Sequence, residues 1–253
     1  MSSPLTAALK LVLGKLGYTV KRRRPGRATA GVASDDNVEP ANLMAALHGR
    51  DIYEGFDFHA IPEDLVGWGS DSPAFAELVA QHQPRFVIEV GTWKGGSALS
   101  MARAMKQHGG GVILCIDTWL GALEFWSDKA DPERFQALEC KHGYPSVYYR
   151  FLANVCHQGQ QDVIVPFPLH SASAALWLLR HGLAADLCYL DGSHEEEDIY
   201  QDLLDYSQLT HSGGILFGDD WSWSGVQAAV KRFAGERQLP IQHCHDKWVL
   251  EMP

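Results

Sequence analysis

The sequence predicts an α/β protein with a mostly parallel, doubly wound sheet. Three observations predict it. Short apolar runs of the kind that fill buried parallel strands recur between residues 86 and 250. They alternate with stretches whose apolar residues fall at helical spacing, and such alternation implies parallel strands joined by crossover helices. The first run, Phe86-Val87-Ile88, breaks at Gly91, Gly95 and Gly96, and Ala98, Met101, Ala102 and Met105 then resume at helical spacing. Strand, glycine turn and helix form the opening of a nucleotide-binding unit, in which the backbone can approach a ligand and the helix offers free N–H groups.

Taken in order, residues 4–18 carry an apolar stripe at Leu5, Leu9, Val12, Leu13 and Leu16, and Lys21, Arg22, Arg23 and Arg24 follow it. A secretory signal would place its charges first, so the stripe reads as an N-terminal helical arm that packs on the body or on a second subunit. Residues 25–41 are rich in Gly, Ala, Ser, Asp and Pro and read as a linker. The expected division is an arm and linker over 1–41 and the main domain over 42–253. Ser72-Pro73 starts a helix running to about His82. Strands are expected at 86–91, 111–117, 163–169, 186–191, 213–218 and 240–250, the last split near Asp246. Helices are expected at 95–107, 131–140, 145–157, 171–181, 195–209 and 225–235.

The chain has 253 residues, of which 46% are apolar and 21% charged, enough for one full core. Its formal charge of −10 is uneven, because residues 1–34 hold seven Lys/Arg and no acid. An acidic body argues against nucleic acid as a partner. Five cysteines without a C-x-x-C pair suggest a reducing compartment, the cytoplasm. No apolar run approaches the roughly 20 residues of a membrane span.

Ligands of such sheets bind beyond the C-terminal strand ends, and those ends carry acids. The first strand ends at Glu89-Val90-Gly91. A carboxylate just before the glycine disfavours a pyrophosphate and suits a positively charged ligand. The second ends at Asp117, placed to accept hydrogen bonds from ribose hydroxyls. The third ends at His170-Ser171, where Ser171 suits a ligand contact or a helix N-cap. The fourth ends at Asp191-Gly192-Ser193-His194, with Ser193 and Glu196 spaced as a capping box. The fifth ends at Asp219-Asp220. Adjacent strands would bring Asp191, Asp219 and Asp220 to one rim, where crowded carboxylates favour a cation. Oxygen ligands alone select a hard ion such as Mg²⁺ or Ca²⁺.

The runs VIEVGTWKGGSALSMA, CIDTWLG, DLCYLDGSHEEEDIYQDL and GGILFGDDW resemble the metal-dependent O-methyltransferases within class I of the S-adenosylmethionine (SAM) methyltransferases. That group includes macrolide- and aminocoumarin-sugar enzymes. Catechol O-methyltransferase and cephalosporin hydroxylase-like proteins are more distant relatives. The resemblance covers roughly residues 75–250 and implies a Rossmann-like fold. It implies SAM contacts at Glu89, Gly91, Thr92, Gly95, Ser97, Asp117, Thr118, Ser171 and Asp191. It implies metal ligands at Asp191, Asp219 and Asp220, and catalytic roles for His194, in the place of a lysine base, and Asp191. A metal-bound acceptor hydroxyl would lose its proton to His194, whose reference pKa near 6.5 leaves it neutral at pH 7.

The expected reaction is therefore divalent-metal-assisted O-methylation of a small hydroxylated molecule, glycosyl or phenolic. A hydroxylase-like or N-methylating enzyme of the same fold, and a silent SAM-binding or assembly subunit, are the alternatives. Trp119, Phe125, Trp126, Trp221 and Trp223 would line a substrate wall or fill the core. In His243-Cys244-His245, strand alternation puts both histidines on one face and Cys244 on the other, which argues against a zinc site.

Overall fold

The computed structural model describes residues 38–127 and 132–253, all within the unit Gly31–Pro253. The expected arm, its basic run, its role in assembly and most of the linker lie outside the described residues. Seven strands form one sheet in the order β3-β2-β1-β4-β5-β7-β6. They are β1 Phe86–Val90, β2 Val112–Ile116, β3 Ile164–Phe167, β4 Ala185–Leu190, β5 Thr210–Gly218, β6 Gln242–Cys244 and β7 Lys247–Glu251. The first five are parallel, and β7 runs antiparallel to β5 and β6. The last expected strand is thus split at Asp246, as the sequence suggested.

The helices are α1 Pro40–His48, α2 Pro73–His82, α3 Gly96–Gln107, α4 Leu123–Ser127, α5 Pro132–Ala137, α6 Val147–His157, α7 Ser171–His181, α8 Glu196–Tyr206 and α9 Ser224–Arg237. Ser72 caps α2 by accepting from the Ala74 N–H at 3.3 Å. Unexpected were α1, which starts on Pro40 and stops at left-handed Gly49, and the short α4. The expected capping box does not form. Glu195 is the extended residue before α8, and the Ser193 hydroxyl accepts from the Glu195 N–H at 3.2 Å, one residue short of the Glu196 N–H that the box requires.

Strands β1 and β2 are buried along their whole length, which explains their unbroken apolar character. Two features of the sheet place the functional site. The chain winds one way through β1, β2 and β3 and the other way through β4 and β5, so the order reverses between β1 and β4. The register then aligns the strand ends. Val90 lies opposite Ile116 and Leu190, and Leu190 opposite Gly218. The next residues, Gly91, Asp117, Asp191 and Asp219, therefore stand along one rim.

Candidate active site

A cavity of about 680 Å³ opens over this rim, the size of a cofactor-plus-substrate site. Its floor is the glycine loop. Gly91 has φ +82°, and a Cβ there would overlap the Asp191 carbonyl, so only glycine lets the β1 and β4 ends meet. Trp93 in the same loop is left-handed at φ +52°, and its buried Nε1 has no hydrogen-bond partner. A strained backbone and an unanswered buried donor in a cavity wall fit a ligand-binding loop.

The roof is the segment before α2, tied down by polar contacts. Lys94 Nζ lies 2.5 Å from Asp64 Oδ2. Buried Asn154 donates to the Asp64 carbonyl at 2.7 Å and the Lys94 carbonyl at 2.9 Å. This clamp brings Leu65, Trp68 and Ser70 over the cavity.

Of the residues expected to hold SAM, Gly91, Thr92, Ser97, Asp117, Thr118, Ser171 and Asp191 line the cavity, whereas Glu89 and Gly95 do not. Glu89 is fully buried behind the loop. Its carboxylate accepts from Ser97 and, at 3.3 Å, from Thr92, and burial pushes its pKa up to about 7. It shapes the loop from behind. Gly95 is the left-handed residue before α3 and faces the Phe151 ring. Asp117 already accepts the N–H groups of Thr92, Trp93 and Trp119 at 2.9, 2.8 and 2.7 Å, so it fixes the loop beside the cavity. Ser171 donates to Asp202 at 2.7 Å, and burial pushes Asp202 up to about 6. Buried carboxylates of raised pKa around the cavity make it receptive to positive charge. The residues present therefore fit SAM, whose sulfonium and ammonium are cationic.

On the β4–β5 side, His194 Nε2 lies 2.7 Å from Asp220 Oδ2, and its ring stacks on Trp223 with centroids 4.3 Å apart. Its buried Nδ1 is 3.0 Å from Glu124 Oε1 on α4 but is not aligned for a hydrogen bond. The hydrogen bond to Asp220 and the charge of Glu124 raise the His194 pKa despite partial burial. Asp220 itself is left-handed at φ +58°, a conformation aspartate tolerates.

The three aspartates share the cavity but do not close on a common point. Among the described residues, they are not a group whose donor atoms all lie within 4.8 Å of one another. Each already has a partner. Asp219 Oδ2 is 2.5 Å from Nζ of Lys247, a fully buried lysine that also meets Asp246 Oδ2 at 2.8 Å. Burial would lower the Lys247 pKa, but the hydrogen bonds to Asp219 and Asp246 outweigh it and raise it. Asp191 Oδ2 accepts from the Tyr189 hydroxyl at 3.1 Å. Burial first, then Asp219 and Asp220, raise the Asp191 pKa well above the usual range. As placed, Lys247 supplies the positive charge at Asp219, so an ion shared by the three aspartates would have to displace it.

Lys247, Tyr189 and Glu124 were missed in the sequence. The signal for Lys247 was a cation opening the apolar run Trp248-Val249-Leu250. The aromatic expectation divides between its two options. Phe125 and Trp223 line the cavity, with Phe125 packed edge-on against Trp93 at 4.9 Å. Trp119 is buried against Phe151, Trp221 packs on His243, and Trp126 is half exposed outside the cavity.

Three solved structures are similar to the chain. The O-methyltransferase NovP is 16% identical, with a TM-score of 0.46 over 70% of this chain and 75% of that one. TomG, an O-methyltransferase from Streptomyces achromogenes involved in tomaymycin synthesis and solved with SAM, is 15% identical, with a TM-score of 0.49 over 83% and 93%. An O-methyltransferase from Bacillus cereus solved with SAH is 12% identical, with a TM-score of 0.48 over 83% and 94%. No curated protein sequence matches significantly. A family model described as a methyltransferase domain matches residues 88–221, from within β1 to just past the Asp219-Asp220 pair. That match takes in more than half of the chain and every strand end that meets the cavity, so the chain belongs to the methyltransferase-domain family.

Proposed function

We propose that the chain transfers the methyl group of SAM to a hydroxyl oxygen of a small molecule, a glycosyl unit or a phenol, with His194 as general base. SAM supplies the electrophilic methyl carbon when bound. The observation that carries the reading is the His194–Asp220 pair at 2.7 Å in the cavity wall. Asp220 accepts from Nε2–H and so fixes the tautomer that leaves the Nδ1 lone pair to take a proton. Glu124 covers Nδ1, with Oε1 3.0 Å away, and gives way there to the acceptor hydroxyl. The acceptor's O–H proton passes to Nδ1 as its oxygen attacks, and the Nε2–H stays on the ring. Trp223 holds the imidazole flat from one side. The glycine loop and Asp117 orient the donor, and Asp191 and Asp202 answer its positive charge. Trp68, Trp93 and Phe125 form an aromatic wall that suits sugar C–H faces or phenolic rings. The cytoplasm is the proposed setting, supported by five cysteines that are all free.

Labelled methyl transfer from SAM, screened over sugars, glycosides and phenols with and without EDTA, tests the proposal. Product formation that survives EDTA is expected. SAM binding with no turnover on any hydroxylated acceptor would favour the silent or N-methylating alternatives. Loss of turnover in EDTA would favour a Mg²⁺-type ion at Asp191, Asp219 and Asp220, a reading supported by the raised pKa of Asp191 beside two further acids. That ion would require Asp219 to leave Lys247.

A further inference from the structure

We infer that Glu77, Cys244 and His245 form a second site, outside the cavity, for a borderline transition-metal ion of the Zn²⁺ type. Among the described residues, they are the one group of three His, Cys, Asp or Glu side chains whose donor atoms all lie within 4.8 Å of one another. Cys244 ends β6, His245 is in the two-residue turn to β7, and Glu77 projects from α2. Strict strand alternation would send Cys244 and His245 to opposite faces. It stops applying at Cys244, because His245 is left-handed at φ +55°. The turn brings His245 round to Cys244 and α2, while His243 goes to Trp221 with ring centroids 4.9 Å apart. His245 Nε2 already lies 2.9 Å from Glu77 Oε2.

The donor chemistry selects the ion. Thiolate, imidazole and carboxylate are together the ligand types of Zn²⁺, whereas Mg²⁺ and Ca²⁺ prefer oxygen alone. Three protein ligands leave a fourth position for water, so the site is open. Binding exchanges the His245–Glu77 hydrogen bond for ligation and releases the Cys244 thiol proton to solvent. The position gives occupancy a consequence. Asp246, next in the turn, accepts from Ser72 at the start of α2, and Lys247 follows it to hold Asp219. An ion here would fasten α2 to the hairpin that carries Lys247.

The test is titration of the metal-free full chain with Co²⁺, reading the near-ultraviolet thiolate-to-cobalt charge-transfer band, followed by displacement with Zn²⁺. The band should saturate at about one ion per chain and vanish on adding Zn²⁺. Cys244→Ser should abolish it, and Glu77→Gln, an exposed change on α2, should weaken Co²⁺ binding roughly tenfold or more. Zn²⁺ at a hundredfold excess over its Kd should raise the wild-type Tm by on the order of 5 °C, and the Glu77→Gln Tm by much less. If Cys244→Ser fails to fold, the Glu77→Gln titration decides alone. A wild type without the band would overturn the site, as would a band unchanged in Glu77→Gln or one that persists in a folded Cys244→Ser protein.

Discussion

Two pairs of carboxylates in and behind the cavity wall are answered in opposite ways. On the β1–β2 side, Glu89 and Asp117 are met by uncharged donors, the hydroxyls of Ser97 and Thr92 and the loop N–H groups. On the β4–β5 side, Asp219 and Asp220 are met by groups that can carry charge, Lys247 and His194. Uncharged donors order a loop without neutralising it, so burial prevails and the pKa values of Glu89 and Asp117 rise. The first side is therefore a fixed frame that favours a cationic ligand. A histidine held between two acids can take and release a proton, so the second side suits the chemical step.

The sharpest way to break this contrast is His194→Ala. It should lower kcat by roughly 10²–10⁴-fold, the usual range for a general base, and leave SAM affinity within a factor of about two. A comparable loss of SAM affinity by calorimetry would mean that His194 belongs to the binding frame. Next in size is Lys247→Ala, which strands the Asp219 carboxylate. Removing one partner of a buried pair costs about 3 kcal/mol, readable as a lower denaturation midpoint at unchanged slope. Lys247→Met with Asp219→Asn should recover most of that stability. A Lys247→Ala protein as stable as wild type would show that the pair does not neutralise the site.

The same contrast marks what the sequence could convey. Asp117, Asp191 and Asp219 follow directly on apolar parallel strands, so composition and order were enough to put them on one rim. Their partners come from distant segments that carry no periodic signal. Glu124 sits on a five-residue helix, too short to show a stripe. Lys247 reaches Asp219 only because β7 enters antiparallel beside β5. Glu89 looked like a ligand contact because it precedes the glycines, yet its side chain turns back to Ser97 at the start of α3. The His-Cys-His reading relied on strand alternation one residue beyond the end of β6. Helix α1 was legible in principle, with proline at its start and glycine at its stop.

A pH series on Glu89 sharpens the first half of the comparison. Its pKa is about 7 in the folded protein against an ordinary 4.5, so between these values the folded state holds a proton that the unfolded state has lost. Stability attributable to Glu89 is therefore present below pH 4.5 and declines as pH rises to 7, by up to about 3 kcal/mol. Glu89→Gln removes this dependence. Its stability relative to wild type should rise across the window and level off above pH 7. A difference between the two proteins that is flat from pH 4.5 to 8 would mean that Glu89 ionises freely and is not enclosed by the loop.

The smallest expected effect bears on the second half. Glu124 approaches Nδ1 of His194 from the side opposite Asp220 and contributes to raising the His194 pKa. A base works only when unprotonated, so the rate should fall as pH drops through that pKa, giving an acidic limb above the ordinary 6.5. Glu124→Gln removes one negative charge and keeps the shape, so the limb should move to lower pH while the plateau kcat changes by less than about threefold. The direction is the informative part. A limb that stays in place would assign it to another group, with Asp191, also buried and raised, the next to test. A limb that moves up would mean that Glu124 does not act on His194 through its charge, and the proton would then have to leave the acceptor by another route.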